Sequence, residues 1–280
     1  MYHSLNCRGR LLSLEQPRVM GILNLTPDSF SDGGKYNEMR AALAQTARMI
    51  EEGAAIIDIG GYSTRPYAPE ISEEEEIERI HAITAAILDR FPETIVSIDT
   101  FRAGVAREML TLGAHIINDI SAGERDEQML ATVAAYDAPY IAMHMQGTPG
   151  TMQDRPYYDH IVEEIYAYFV ALIDRARQAG IQDLVLDPGF GFGKTILHNY
   201  QLLGGMQRFQ VLELPLMAGL SRKSMLYRLL DATPEAVIAP ASALHLKALE
   251  AGVRILRVHD VKEAVQVVRL FTYMHDHGIV

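Results

Sequence analysis

Short apolar runs and longer amphipathic stretches alternate along the chain. Each run holds four to six residues, mostly β-branched or aliphatic, which is typical of buried strands. Eight strands are predicted in this way, at 19–24, 55–60, 94–99, 116–119, 140–144, 184–187, 214–218 and 255–259. Other stretches repeat apolar residues with the helical period, at 41–52, 73–90, 103–112, 127–136, 161–179, 241–251 and 261–275. This alternation indicates βα units and a parallel sheet.

Eight strands in one chain of 280 residues favour an α/β fold of one kind, a closed (β/α)8 TIM barrel, over an open doubly wound sheet. No low-complexity tract, sequence repeat or linker rich in Ser and Pro divides the chain, so we expect residues 1–280 to form a single domain. Four predicted helices are followed by a glycine, the residue that most easily adopts the left-handed backbone of a helix C-terminus. These glycines are Gly53, Gly113, Gly180 and Gly252.

The charge of the chain limits its partners. The sequence has 25 Lys and Arg residues against 36 Asp and Glu residues, a formal net charge of −11 that repels a polyanion. Nucleic acid is therefore not an expected partner, whereas a small anion is acceptable where a few cations converge. The acidic run 73–76 follows Ser72 and is predicted to cap and charge the N-terminus of a helix.

Cysteine and apolar content indicate the compartment. Cys7 is the single cysteine, which excludes an intramolecular disulfide and a cysteine-rich zinc site and suits a reducing environment. The N-terminus lacks the apolar segment of a secretory signal, and no apolar run approaches the roughly 18 residues of a membrane span. We therefore expect a cytoplasmic protein with no membrane partner.

Most of the predicted strands end on a polar residue. In a TIM barrel the C-terminal ends of all strands meet at one rim, so these residues are expected to converge on a ligand site. Any single one of them could instead satisfy a structural neighbour, because an unpaired buried polar group costs free energy. The residues are Asn24, Asp58, Asp99, Asn118, Asp119, His144, Asp187 and His259.

Two loops after these strand ends carry residues suited to a reactive ligand. Residues 25–34 are polar and end in two glycines, and Phe30 lies among serines and aspartates, which is typical of an active-site lid. Residues 60–66 combine glycines with the hydroxyl of Thr64 and the guanidinium of Arg65, a set that suits a phosphate or carboxylate. Arg65 could equally be a surface cation.

Two further loops and the last strand add glycines and cations. Residues 187–194 contain three alternating glycines that fit neither a P-loop nor a Rossmann unit, so we expect their backbone to approach a flat ligand. Residues 221–224 place two cations and two hydroxyls at a helix start, where free N–H groups attract anions. In the last strand, Arg257 and His259 share one face, which predicts an anion site.

The sequence contains no spacing of His, Cys, Asp or Glu that matches a closed metal site. It is compatible with a loosely held Mg²⁺ that takes one protein oxygen, from Asn24, and its other ligands from phosphate and water. His144 lies between two methionines and has no Ser or Cys nucleophile motif beside it, so we interpret it as pocket wall or packing.

Eight of these segments resemble, in the same order, the motifs of the dihydropteroate synthase family. The resemblance runs from about residue 19 to about residue 260, and the family's pterin-binding TIM barrel agrees with the strand pattern. The segments are 20–34, 58–66, 97–100, 117–120, 143–145, 187–194, 221–224 and 257–260.

The resemblance implies a transferase of folate biosynthesis. Such an enzyme joins p-aminobenzoate to (7,8-dihydropterin-6-yl)methyl diphosphate and yields 7,8-dihydropteroate and pyrophosphate. The implied step is SN1-like, with Mg²⁺ assisting the departure of diphosphate and the arylamine attacking the resulting cation. The resemblance further implies small-molecule substrates, inhibition by sulfonamides and a homodimer.

The resemblance also implies roles for individual residues. Pterin binding is assigned to Asp99, Asn118, Met143, Asp187, Gly219 and Lys223, of which Asp99, Asp187 and Lys223 are also assigned to catalysis. Diphosphate binding is assigned to Asn24, Arg65, Arg257 and His259, and Mg²⁺ binding to Asn24. The p-aminobenzoate site is assigned to Phe30, Thr64, Pro66, Phe192 and Ser221.

Two residues depart from the commonest pattern of the family: Tyr62 stands where Glu is frequent, and Tyr67 where Gly is frequent. They affect the expected flexibility of their loop and the rim of the aminobenzoate site.

Two alternative functions are open to a sequence of this kind. A methyltransferase that moves a methyl group from a tetrahydrofolate to a corrinoid shares the barrel but has no need of the lid around Phe30. A catalytically silent pterin-binding relative would have lost an anion-binding residue, and the sequence has lost none.

Overall fold

The computed structural model describes residues 4–25, 34–63, 70–148, 150, 152 and 154–279. Two short strands, β1 (Ser4–Cys7) and β2 (Arg10–Ser13), pair as an antiparallel hairpin. Eight parallel strands follow: β3 (Arg18–Asn24), β4 (Ile56–Gly60), β5 (Ile95–Asp99), β6 (Ile116–Asp119), β7 (Tyr140–Met143), β8 (Leu184–Asp187), β9 (Leu216–Ala218) and β10 (Val253–Val258). They close into a barrel in chain order, with β10 bonded to β3. The predicted TIM barrel is confirmed.

Helices alternate with the barrel strands. Across the described ranges they are α1 (Gly34–Glu52), α2 (Glu73–Arg90), α3 (Ala103–Leu112), α4 (Met129–Ala135), α5 (Ile161–Ala179), α6 (Ile196–Gly205), α7 (Ser224–Tyr227), α8 (Ile238–Glu250) and α9 (Val261–Asp276). A 3-10 helix, Met206–Leu212, follows α6 directly. Among the described residues, no helix combines the length and apolar character needed to cross a membrane.

The predicted strands agree with the observed ones to within two residues at each end, and α2, α3 and α5 have the predicted bounds. The hairpin, α6, the 3-10 helix and α7 were not predicted. The hairpin strands have only four residues each, too few for a clear alternation, and α7 is equally short. The N-terminus of α6 has a capping box in which His198 replaces the usual Glu or Gln opposite Thr195, so its sequence signal is weak.

Backbone geometry confirms the predicted helix ends. Ser72 is the N-cap of α2, and its hydroxyl accepts a hydrogen bond from the Glu75 N–H at 3.1 Å. The four glycines expected at helix C-termini all have positive φ, between +94° and +120°. These conformations are strained for residues with a side chain, which explains why glycine occupies them.

The acidic run also contains a buried ion pair. Glu76 is fully buried and pairs with Arg102, the residue before α3. Another Arg102 nitrogen donates to the carbonyl oxygen of Ile71 at 2.6 Å. Burial raises the pKa of Glu76, while a hydrogen bond from Thr100 and the charge of Arg102 oppose the rise. The ion pair therefore ties the start of α2 to the start of α3.

The lower half of the barrel interior is apolar, and the N-terminal hairpin covers it. Side chains alternate between the two faces of a strand, so each barrel strand presents every second residue to the interior. The apolar interior residues are Met20, Ile56, Ile95, Ile116, Ile141, Val185, Met217 and Ile255. Leu5, Cys7, Leu12 and Leu14 of the hairpin segment pack against them. The apolar interior and the hairpin together form the floor of the barrel.

The hairpin leucines allow a direct test of this floor. Leu5 is 1% exposed in the floor cluster, whereas Leu11 in the same hairpin is 75% exposed. Leu5→Ala is expected to lower the free energy of unfolding by about 2 to 4 kcal/mol, because it leaves a cavity in a packed core. Leu11→Ala is expected to change it by less than about 0.5 kcal/mol. Urea unfolding followed by circular dichroism measures both, and equal effects would show that the hairpin does not close the barrel.

Candidate active site

A pocket opens at the C-terminal rim of the barrel, among residues of β5 to β10 and the loops that follow them. It gathers all six residues predicted to bind a pterin, and it adds Phe192 and Arg257 from the other predicted subsites. Ile120 and Phe190 also line it and were not predicted. The lining residues are Asp99, Asn118, Ile120, Met143, Asp187, Phe190, Phe192, Gly219, Lys223 and Arg257.

Strand alternation explains why these residues meet. Asn118, Met143, Asp187 and Arg257 each lie two residues beyond an apolar floor residue of the same strand, and Asp99 lies four beyond. They therefore face the interior like the floor but one or two steps closer to the rim. The polar pocket stands directly on the apolar floor.

Arg257 joins charged residues from different strands. Its Nε donates to Asp58 Oδ2 at 2.6 Å, and its Nη2 donates to Asp99 Oδ2 at 2.6 Å. Asp58 Oδ2 also accepts a hydrogen bond from Asn118 Nδ2 at 3.0 Å. Asp58 is fully buried beneath these lining residues. One buried carboxylate thus contacts two residues of the pocket.

The charges in this network shift one another's pKa. Burial raises the pKa of Asp99 to about 7; Arg257 opposes this rise, and the carboxylates of Asp58, Glu76 and Asp119 add to it. Burial acts to lower the pKa of Arg257, but Asp58 and Asp99 outweigh it and raise that pKa. Arg257 is therefore always charged, whereas Asp99 titrates near neutral pH.

Asp187, at the end of β8, and Lys223, in the loop after β9, face the same pocket. The Lys223 Nζ lies 4.4 Å from the centre of the Phe192 ring, a cation–π contact. Gly191 makes room for it, since a Cβ on Gly191 would lie 3.3 Å from Lys223 Cδ. Burial, followed by the charge of Arg257, lowers the pKa of Lys223 to about 8 despite the nearby Asp187 and Asp99. Lys223 is a cationic donor whose charge is lost at mildly alkaline pH.

Asp187 is held by the turn that follows β8. Its Oδ1 accepts a hydrogen bond from the Gly189 N–H at 2.7 Å, and the residue is 4% exposed. Burial raises its pKa, although the Gly189 hydrogen bond and Lys223 lower it. One oxygen is thus fixed by the backbone of its own loop, which orients the carboxylate.

The glycines of the 187–194 loop serve a purpose that the sequence did not indicate. A Cβ on Gly189 would lie 1.9 Å from the His144 carbonyl oxygen, and a Cβ on Gly193 would lie 2.4 Å from the Gln146 carbonyl oxygen. Both have positive φ. These two glycines let the loop after β8 approach the loop after β7, whereas the sequence predicted approach to a ligand.

Lys194 fastens the same two loops together. It is 3% exposed, and its Nζ donates to the carbonyl oxygens of Gly189 and Phe192, both at 2.9 Å, and lies 3.1 Å from His144 Nδ1. Burial and Lys194 hold the pKa of His144 far below its usual range. In the sequence Lys194 only ends the glycine-containing segment 187–194. Its role could not be predicted, because its partners lie up to 50 residues away.

The loop after β9 and the end of β10 form a second cluster beside the pocket, which contains His259 of the residues assigned to the diphosphate and Ser221 of those assigned to p-aminobenzoate. Arg222 has φ +55° and pairs with Asp260 through Nη2 at 2.6 Å and Nε at 3.2 Å. The Ser221 hydroxyl accepts a hydrogen bond from the His259 N–H at 3.3 Å. Few side chains favour the left-handed backbone that Arg222 adopts, and the pair with Asp260 is a contact that can offset this strain.

His259 is uncharged in this cluster. Burial, Arg257 and Arg222 lower its pKa to about 3, so at neutral pH its imidazole is a neutral hydrogen-bonding group. The sequence predicts that the loop 221–224 gains anion affinity from a helix start, but α7 has only four residues and a correspondingly small dipole. The positive charge at this end comes from Arg257 and Arg222.

Asp119 is wrongly predicted to face the site, whereas His144 packs between loops as one of its two interpretations expects. Asp119 is fully buried and accepts hydrogen bonds from Tyr140 Oη at 2.6 Å, the Ser121 N–H at 2.7 Å and the Gly123 N–H at 2.8 Å. It follows Asn118 in the strand and so faces away from the interior. His144 contacts Lys194 in the loops, as the packing interpretation expected. Neither lines the pocket.

The remaining assigned residues lie at the rim or outside the described residues. Asn24 is exposed at the end of β3, and a Cβ on Gly60 would lie 3.7 Å from Asn24 Oδ1 and 3.4 Å from Asp99 Cβ, so Gly60 leaves an open cradle between them. Phe30, Thr64, Arg65 and Pro66 lie outside the described residues. In the part of the chain that is described, no group of three or more His, Cys, Asp or Glu side chains could hold a metal ion.

Tyr62 belongs to an apolar wall that continues from the pocket. Its ring packs edge-on against Phe101 with 5.0 Å between ring centres, and Arg102 lies 5.2 Å from the Tyr62 ring centre. Phe101, Ile120 and Met143 form a small cluster with Tyr62 and Phe192. The sequence gives no signal for this role of Phe101, which is a single aromatic residue shortly after a strand end.

Comparison with known proteins agrees with this pocket. Residues 20–259 match the family described as pterin binding enzymes, and the chain belongs to that family. Within it, the chain is similar to the dihydropteroate synthase of Escherichia coli strain K12, 47% identical over 265 residues that cover 94% of this chain and 93% of the relative. The enzyme of Haemophilus influenzae is 44% identical over 259 residues, covering 92% and 94%. The resemblance to the dihydropteroate synthases is confirmed.

Solved structures lead to the same family. The dihydropteroate synthase of Yersinia pestis with a sulfonamide drug complex has a TM-score of 0.92 at 45% identity, covering 98% of this chain and 99% of that one. The enzyme of Xanthomonas albilineans with 4-aminobenzoic acid has a TM-score of 0.91 at 41% identity, with the same coverage. The X. albilineans enzyme in complex with 7,8-dihydropteroate has a TM-score of 0.87 at 39% identity, covering 97% and 98%.

The lowered pKa of Lys223 predicts the pH dependence of pterin binding. Protonated Lys223 donates to an acceptor on the ligand, so binding favours the protonated form and raises the pKa in the complex. Affinity should therefore fall as the pH rises above about 8, by up to about tenfold per pH unit. Calorimetric titration with a pterin at several pH values measures this.

Lys223→Gln is the control, because it keeps a donor that does not titrate. It should bind more weakly at neutral pH and lose this part of the pH dependence, while ionisation of the ligand itself affects both proteins equally. If the two proteins respond to pH in the same way, Lys223 does not contact the ligand.

Proposed function

We propose that this chain is a transferase that condenses p-aminobenzoate with (7,8-dihydropterin-6-yl)methyl diphosphate and forms 7,8-dihydropteroate and pyrophosphate. The observation that carries the proposal is the pocket itself: the buried carboxylate of Asp187, the partly buried carboxylate of Asp99, an amide and a lysine surround a narrow cavity at the barrel rim. Family membership over residues 20–259 supports the same reaction. Its place is in folate biosynthesis.

The pocket has the hydrogen-bonding groups that a pterin requires. The heterocycle carries ring N–H and NH₂ donors, which need acceptors, and a carbonyl, which needs a donor. Asp99, Asp187 and the amide of Asn118 are the acceptors, and Lys223 is the donor. Ile120, Met143 and the two phenylalanines supply apolar surface for the faces of a flat ring. Gly219 leaves space, since a Cβ there would meet no atom within 4 Å.

The reaction needs electrostatic assistance more than a protein nucleophile. The bond between the pterin methylene carbon and the diphosphate oxygen breaks, and its electron pair leaves with the diphosphate. Arg257 stabilises that growing negative charge, and His259 contributes as a neutral donor. Asp99 and Asp187 stabilise the pterin cation. The arylamine nitrogen then bonds to the methylene carbon and transfers a proton to water.

The residues at the rim fit a Mg²⁺ that is held mainly by the substrate. The exposed amide oxygen of Asn24 borders the cradle left by Gly60, and Mg²⁺ prefers oxygen ligands with several places taken by water or phosphate. When bound there, the ion would neutralise charge on the diphosphate. Arg65 is proposed as a further diphosphate ligand from the resemblance.

The aminobenzoate site is proposed beside the pterin, between the loops. Two contacts support this position: Phe192 lines the pocket beside Lys223, and the Ser221 hydroxyl lies 3.3 Å from Nδ1 of His259, a proposed diphosphate ligand. Phe30, Thr64 and Pro66 complete this site in the proposal. Sulfonamides, as mimics of p-aminobenzoate, are expected to bind here, as the sulfonamide complex of the Y. pestis relative suggests.

Pyrophosphate release tests the reaction. The wild-type protein is incubated with the pterin diphosphate and Mg²⁺, with and without p-aminobenzoate, and both pyrophosphate and dihydropteroate are measured. We expect both products in equal amounts only when both substrates are present, and a slower rate after Mg²⁺ is chelated. Asp187→Asn should lower the rate by about tenfold to 100-fold, since it replaces a carboxylate acceptor of the pterin with an amide.

Asp174→Asn is the matched control for this variant. It makes the same charge change on the exposed face of α5 and should leave the rate unchanged. A wild-type protein that binds the pterin diphosphate but releases no pyrophosphate would be the silent relative considered from the sequence, and the proposed reaction would be wrong.

We further propose a cytoplasmic homodimer in which the whole chain forms one domain, with small-molecule substrates as its partners and neither nucleic acid nor membrane. The barrel strands run from Arg18 to Val258, and the hairpin before them packs into the barrel floor, which supports a single domain.

Large apolar side chains are exposed at Leu229, Leu230 and Leu270, which supports a subunit contact. Sedimentation equilibrium should give a mass near twice 31.2 kDa, and a mass of one chain at micromolar concentration would exclude the dimer.

A further inference from the structure

Asp58 contacts two residues of the pocket without lining it. It lies in the middle of β4, is fully buried, and receives hydrogen bonds on Oδ2 from Arg257 Nε at 2.6 Å and from Asn118 Nδ2 at 3.0 Å. These donors come from strands β10 and β6, which are not neighbours of each other in the barrel. Asp58 is therefore a shared anchor beneath both of them.

We propose that Asp58 is a positioning residue that fixes the orientation of Arg257 and Asn118 toward the pterin diphosphate. The proposal rests on the proposed function, since it concerns how that substrate is held. Asp58 acts through its two neighbours and needs no contact with the substrate.

The first consequence concerns the plane of the Arg257 guanidinium. Asp58 accepts a hydrogen bond from Nε and Asp99 accepts one from Nη2, so two carboxylates bind the guanidinium at two separate nitrogens. A guanidinium is rigid and planar, and two such bonds fix its tilt as well as its position. Without Asp58, the pair with Asp99 alone would let the group rotate about that bond. Arg257 would then no longer present a constant face to the diphosphate.

The second consequence concerns which atom Asn118 offers to a ligand. An ionised carboxylate only accepts hydrogen bonds, so the Asn118 atom beside Asp58 must be the amide nitrogen. The carbonyl oxygen of Asn118 is then the atom available to the pocket that Asn118 lines. Asp58 thereby makes Asn118 an acceptor, which is what the N–H groups of a pterin need. An amide in place of Asp58 would permit the opposite orientation.

The burial of the Asp58 carboxylate costs folding free energy, which argues against a purely structural role for this residue. Asp58 Oδ1 has no hydrogen-bond partner among the described residues, so one oxygen of a fully buried carboxylate is unsatisfied. A buried charge pair stabilises a fold little or not at all compared with apolar residues of similar size. The contacts to two pocket residues explain why a carboxylate occupies the site despite that cost.

The test compares Asp58→Asn with a matched neighbour. Ser97 on β5 pairs in register with Asp58, is equally buried, and faces the same interior, and its hydroxyl has no partner within the described residues. In the pyrophosphate release assay, Asp58→Asn should raise the KM for the pterin diphosphate about tenfold or more. The KM for p-aminobenzoate should stay within about twofold, because neither Arg257 nor Asn118 is assigned to that substrate. Ser97→Ala should change neither KM.

A double variant tests whether Asp58 acts through Arg257. Arg257→Gln alone should raise the KM for the pterin diphosphate, and adding Asp58→Asn to it should raise the KM by a smaller factor than in the wild-type background, about threefold or less. The double variant also removes the unpaired buried guanidinium, so it keeps the test available if Asp58→Asn alone does not fold. A full tenfold increase in the Arg257→Gln background would overturn the action through Arg257, and equal increases in both KM values would overturn the proposal as a whole.

The proposed function is judged separately in the same experiment. Absence of pyrophosphate release by the wild-type protein would reject the reaction. Release by the wild-type protein together with an unchanged KM in Asp58→Asn would keep the reaction and reject the role of Asp58. Thermal unfolding of each variant identifies any loss that comes from the fold alone.

Discussion

The alternation of side chains along the barrel strands is the constraint on which the rest of the structure depends. Each strand sends every second residue into the interior, and the first inward positions are apolar while the later ones are polar. The hairpin leucines cover the apolar end, which keeps water from the lower interior. Charged groups at the upper end therefore lie between a dry floor and an open rim. This position explains why burial is the largest cause of the pKa shifts of Asp99, Asp187 and Lys223.

Charges of both signs surround the pocket. Among the described residues of the lining and the layer beneath it, the carboxylates of Asp58, Asp99 and Asp187 lie near the cations of Arg257 and Lys223. In the proposed reaction the carboxylates favour the pterin once it has become a cation. In the same proposal Arg257 stabilises the departing anion, and it cannot lose its charge at any physiological pH. The same site can thus stabilise both fragments of the bond that breaks.

Much of the fold and part of the site could be predicted from the sequence, for a physical reason. Strand ends meet at one rim in a barrel, so Asp99, Asn118 and Asp187 could be grouped although they are far apart in the chain. Grouping Asp119 with them is wrong, because the alternation that places Asn118 inside the barrel places its neighbour outside. The hairpin was missed because four-residue strands carry too little pattern.

Contacts between distant strands could not be predicted. Arg257 and Asp58 are 199 residues apart, and nothing in either local sequence specifies their hydrogen bond. Lys194 is a similar case, since its partners in the loop after β7 become neighbours only when the barrel closes. Sequence patterns identify which residues face the interior. They do not identify which of those residues contact one another, because that depends on side-chain packing across the barrel.

The contact between the loops after β7 and β8 limits how this protein can diversify. Gly189 and Gly193 admit no side chain because carbonyl oxygens of the neighbouring loop occupy the space, and the Lys194 ammonium binds both loops at once. Phe190 and Phe192 are interleaved with these fixed positions and line the pocket. Variation in the aromatic amines that the protein accepts must therefore arise from the two phenylalanines or from other loops. The backbone of this segment is closed to evolutionary change, while the side chains between its glycines are open to it.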